Sequence, residues 1–91
     1  MLDRTRSDVL PIQVAVATAS PGAWRDGLAL SRSADALTVV LLDGQVVVLT
    51  TSATPTSGEP VAVHPVAEVV AIGGAWYSAR SLADRAAGIA R

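Results

Sequence analysis

The chain has 91 residues, 51% of them hydrophobic and 16% charged, with a net charge of −1 and no cysteine. A chain of this length holds one small core and not two, and the missing cysteines exclude disulfides, thiolate metal sites and thiol nucleophiles. Acidic and arginine residues are interspersed, so no electrostatic footprint for nucleic acid or an anionic membrane is present.

The charged share falls below the roughly 25% of ordinary domains. That deficit fits either a surface partly hidden from water or the habit of a high-GC genome, since all seven basic residues are Arg and both Lys and Asn are absent. No apolar run reaches the ~18 residues of a membrane span, because Asp43 and Gln45 interrupt the longest one. The N-terminus carries charges of both signs without a following signal-type apolar region, so a cytoplasmic chain, or one held in a virion or protein assembly, is expected.

Residues 1–8 hold four charges and two hydroxyls, which predicts a flexible arm ahead of a single β-rich domain over 9–91. Val9 to Thr18 places Leu10, Ile12, Val14 and Val16 on one side and Gln13, Ala15 and Ala17 on the other. That alternation predicts a strand, with Pro11 at its start or on an edge. Ser20-Pro21-Gly22 and Asp26-Gly27 read as punctuation around Trp24, a candidate lid over one end of the core. Leu28 and Leu30 then sit at strand spacing, and Ser31 to Asp35 makes a polar link.

The centre of the chain is Leu37 to Thr51, two aliphatic runs joined by Asp43-Gly44. A two-residue type I′ turn there predicts a hairpin with Leu42 opposite Gln45 and Val40 opposite Val47. One face then carries Leu37, Val39, Leu41, Val46 and Val48, and the other Val40, Leu42, Val47 and Leu49. Both faces are apolar, so both should be covered, by the domain itself or by another copy of the chain. Val40, Leu42, Val47 and Leu49 are accordingly the candidate interface.

Ser52 to Glu59 has no apolar side chain larger than Ala apart from a proline and reads as a loop. Val61 and Val63 share one face of the next strand, which Pro65 ends. Val66 to Ile72 and Ala75 to Ser78 form a second hairpin about Gly73-Gly74, with Val70, Ile72, Ala75 and Tyr77 on one face and Val69, Ala71 and Trp76 on the other. From Ser81 the pattern changes: Ser81 and Asp84 have helix-start spacing and Leu82, Ala86 and Ile89 make a narrow stripe, which predicts a C-terminal helix over about 80–90.

Chemistry is sparse. His64 is the only histidine and no Cys or carboxylate pair lies at ligand spacing, so neither metal nor cofactor is expected and the residue reads as a half-buried structural or interface histidine. Asp26 and Asp43 precede glycines and read as turn residues, while Glu59 and Glu68 are isolated, so no paired-carboxylate mechanism follows. The hydroxyl-rich loop lacks a nucleophile-elbow pattern, and Gly73-Gly74 lacks the Lys and Ser/Thr of a phosphate loop. The central hairpin with its Asp-Gly turn is similar to those of SH3-like and Sm-like small barrels. It lacks the glycines and basic loop behind their RNA binding, and unrelated folds share the turn, so no family follows.

The fold expected is therefore α+β and predominantly antiparallel: a small barrel or sandwich of six to seven short strands, in a meander, closed by a C-terminal helix. The function expected is a non-enzymatic structural or interaction module that self-associates or serves as a subunit of a larger assembly. The alternative is a small-molecule-binding barrel whose pocket is lined by Trp24, His64, Trp76 and Tyr77.

Overall fold

The computed structural model describes residues 8–82. Pro11–Ala19 is an α-helix, α1, and not the expected strand. Proline at its first position loses nothing there, because the first amides of a helix have no internal partner. The Gln13 Oε1 accepts the Leu10 N–H at 2.8 Å, which ties off the entry. Three alanines in nine residues favour the helix, and Gln13, Val16, Ala17 and Ser20 recur at helical spacing along the face turned to the rest of the domain. The large-small alternation along the sequence was a coincidence of two periods over a short run.

Six strands follow: β1 (Arg25–Ser33), β2 (Ala36–Leu41), β3 (Val46–Thr51), β4 (Pro60–His64), β5 (Val69–Ile72) and β6 (Ala75–Ser81). They close into an antiparallel barrel in the order β1-β2-β3-β6-β5-β4. The expected meander holds within each half, but β3 and β4 do not pair. Residues 52–59 instead carry the chain across one barrel end, where Ala53 is buried against the core and both Gly58 and Glu59 exchange backbone bonds with Ala29. Closure leaves each strand two neighbours.

The interior is filled by alternate residues, as in small barrels generally. Leu37, Val39 and Leu41 of β2, Leu49 of β3, Val61 and Val63 of β4, and Val70 and Ile72 of β5 form its apolar mass. Full burial of each large aliphatic contributes roughly 1.5–3 kcal/mol against leaving it in water. A bulge between Ala29 and Ser31 leaves Leu30 outside the ladder and exposed. Beyond it, Arg32 turns to the side of Leu37, and its Nη1 donates to the carbonyls of Thr51 and Ala53 at 2.9 and 2.8 Å.

The second hairpin follows the glycine pair as expected: Ile72 faces Ala75, and Gly73 and Gly74 take φ of +58° and +85°. The Asp43-Gly44 turn does not. Leu41 bonds to Gln45 and Gly44 donates to Leu41 O, so the loop has three residues, Leu42, Asp43 and Gly44. Only Gly44 has positive φ, the pattern of a type I turn followed by a left-handed glycine. Asp43 Oδ1 accepts the Gln45 N–H at 2.9 Å, a side-chain turn that stabilises this longer loop.

The extra residue shifts β3 by one, so Val40 faces Val46 and Val39 faces Val47. Every side chain of β3 thereby changes face relative to the expected register. Two further corrections concern chain ends of elements. Asp26 and Gly27 lie inside β1 and are not a turn. Arg80 and Ser81 continue β6, so the C-terminal helix does not begin there, and residues 83–91, on which the rest of that expectation falls, lie outside the described residues. Residues 1–7 of the expected arm also lie outside them, whereas Asp8 accepts from the Ser78 N–H at 2.8 Å.

Candidate functional site

The four residues expected to form one interface are divided between two faces. Leu49 is in the core and Val47 packs against it from inside, whereas Val40 and Leu42 point outward, Leu42 with 74% of its surface exposed. The outer face has its own apolar set. In register, Pro60 of β4 lies beside Leu28 of β1, Leu28 beside Val40 of β2, and Val40 beside Val46 of β3. Leu28, Leu42 and Val46 are all large and exposed. Below this row, Arg25 and Asp43 form an ion pair that clasps the β2–β3 loop to the start of β1.

The four residues expected to line an aromatic pocket are also separated. Tyr77 points into the barrel and packs against the core. Trp24, His64 and Trp76 meet on the outside, where the rings of Trp24 and His64 stand edge-on with centroids 5.0 Å apart and Trp24 and Trp76 lie 5.2 Å apart. With Ala17, Ala67 and Val69 they make a second small core beneath α1. Trp24 thus seals the helix to the barrel wall and is not a lid on the barrel end.

His64 is fully buried in this layer. The Ala67 N–H donates to Nδ1 at 3.0 Å, which leaves the ring proton on Nε2, and Nε2 donates to the Ser20 carbonyl at 2.9 Å. Both nitrogens are engaged, so the imidazole presents no lone pair to a metal or a substrate. Among the described residues no group of three or more His, Asp or Glu side chains converges on one point.

Gln13 was missed by sequence reasoning. Its Nε2 donates to the carbonyls of Ala67 and Glu68 at 3.2 and 2.9 Å and approaches Ser78 Oγ at 3.3 Å, which fixes the first turn of α1 on the β4–β5 turn. The signal available was one long amide in an otherwise apolar run, three residues after the residue preceding Pro11. The hydroxyls of the 52–59 loop serve structure: Ser57 Oγ donates to Leu30 O at 3.0 Å.

Compared with protein-family models, with curated proteins and with solved structures, the chain matches none.

Proposed function

We propose that this chain is a non-enzymatic interaction module that self-associates through the outer face of β1, β2 and β3. The supporting observation is the row Leu28–Val40–Val46, three aliphatic side chains in direct cross-strand register on the water side of a sheet, extended by Pro60 and by Leu42 on the adjoining loop. A sheet with one wet face ordinarily carries polar residues there. The barrel closes except along the first half of β3, which leaves little edge for strand addition, so packing of one face on another is the geometry proposed. The Arg25–Asp43 pair and Asp26 supply the polar rim that such a contact needs.

The proposed setting is the cytoplasm or a larger protein assembly, and no helix among the described residues is long and apolar enough to cross a membrane. Sedimentation velocity over a micromolar concentration range tests the reading. The native chain should show a concentration-dependent increase in mass that Val46→Glu abolishes while the circular dichroism stays the same. A native chain that remains a monomer throughout sinks the proposal.

A further inference from the structure

Residues 52–59 cross one end of the barrel, and at the other end a cleft opens among the described residues. At the open end β3 pairs with β6 only through Leu49, Thr50 and Thr51, so the first half of β3 is not laddered to β6 among the described residues. Val47 lies in register with the core residue Val39 and packs on the core, yet it is only half-buried. The floor at this point includes Ala79, too small to fill the space between β3 and β4. The result is a cleft of about 280 Å³ that reaches into the barrel over Leu41, Val47, Leu49 and Ala79. Its size is at the small end of ligand pockets, which run from about 300 to 1,000 Å³.

The rim decides what could occupy it. Arg25, Gln45, Glu68 and Arg80 surround the opening. The Arg25 guanidinium is neutralised by Asp43, and that of Arg80 lies 3.9 Å from Glu68. Among the described residues each cation at this rim is matched by an anion, so an incoming charge would meet no uncompensated partner there while losing its own hydration. The Gln45 amide adds an uncharged donor and acceptor. None of the aromatic residues Trp24, His64 and Trp76 lines this cleft.

We infer that the open end of the barrel is a binding site for a small uncharged amphiphile, with its apolar body on Leu41, Val47 and Leu49 and its polar group at the Gln45 rim. Leu28 and Val40 of the outer row do not line this cleft, whereas Val46 stands at its rim.

Benzyl alcohol titrated into the full chain, followed by amide and methyl chemical shifts, tests the inference. The expected result is a saturable shift centred on Leu41, Val47, Leu49 and Ala79, at least tenfold weaker for benzoate and for benzylamine. Val47→Phe and Ala79→Leu, each filling the cleft from a different strand, should abolish it, and two variants guard against one failing to fold. Absence of saturation, equal affinity for the charged probes, or shifts centred on Leu28 and Val40 would each overturn the inference. So would nuclear Overhauser contacts from residues 83–91 onto Val47 and Leu49 in the free chain, because the chain's own segment would then fill the space.

Discussion

Val40 faces Val46 across the central hairpin, and not Val47, and this one-residue offset determines which face of β3 is dry. It follows from the three-residue loop, in which Leu42 adds a position that a two-residue turn would lack. The consequence is testable by truncation. Leu49→Ala should cost about 2–5 kcal/mol, the range for emptying a buried leucine site, because Leu49 is 3% exposed in the core. Val46→Ala, at a position 54% exposed, should stay within about 0.5 kcal/mol. Urea denaturation of both variants checks the pair, and the reverse order of costs would mean that the register is wrong.

Gly27 in β1 should reject alanine, against the ordinary preference of strands. Propensity alone favours Ala over Gly by roughly 0.5–1 kcal/mol. A Cβ at Gly27 would lie 2.6 Å from Val40 O, 3.0 Å from Val39 Cγ1 and 3.1 Å from Leu41 Cα. Two of those atoms are backbone of the paired strand, so relief requires parting β1 from β2. Gly27→Ala should therefore destabilise by about 2 kcal/mol or more, read from the urea midpoint at unchanged slope. A neutral or stabilised variant would show that the two strands yield.

Much of this architecture was legible from residue pattern. Val70, Ile72 and Tyr77 were correctly assigned to one face and Val69 and Trp76 to the other, because a Gly-Gly pair leaves little doubt about turn length. Val61 and Val63 turned inward as their spacing implied, and Pro65 stopped β4 at His64. Asp43-Gly44 was less informative, since Asp can hold either a two-residue or a three-residue loop and only Gly needs positive φ in the latter. α1 was misread because a nine-residue apolar run satisfies both a twofold and a 3.6-fold period, and the capping glutamine and N-terminal proline were the better guides. The meeting of Trp24, His64 and Trp76 depends on chain closure between β1 and β4, which no local pattern encodes.

Ala34 should accept glycine, the opposite sign to Gly27. The β1–β2 connection is a tight turn in which Ser33 faces Ala36 and Ala34 takes φ of +53°. For an L-residue the left-handed region costs about 1–2 kcal/mol, which glycine removes while adding roughly 0.4–1 kcal/mol of unfolded-chain entropy. Ala34→Gly should therefore be neutral to stabilising by about 1 kcal/mol, and Ala34→Val should destabilise, since a branched side chain fits that region least well. Thermal unfolding of the two variants separates them, and a loss of stability in Ala34→Gly would contradict the turn geometry.

His64 should act as a buried clamp on α1 and not as a reactive group. Its Nδ1 takes the Ala67 N–H and its Nε2 proton goes to Ser20 O, so one ring joins the end of the helix to the turn after β4. Phenylalanine keeps an aromatic ring but is larger than imidazole, strands a buried N–H and removes the helix-end bond, at a cost of about 1–3 kcal/mol for the orphaned donor alone. His64→Phe should lower stability by about 2–4 kcal/mol and shift Trp24 and Trp76 emission to the red, as the helix that shields them opens before the barrel does. Gln13→Ala should produce a milder form of the same opening. Gln13 and His64 both bond Ala67, one at its carbonyl and the other at its N–H, so the two losses should couple and the double variant should depart from their sum by about 0.5 kcal/mol or more. Unchanged emission and stability in His64→Phe would remove the clamp, whereas strict additivity would show that the two anchors hold the helix independently.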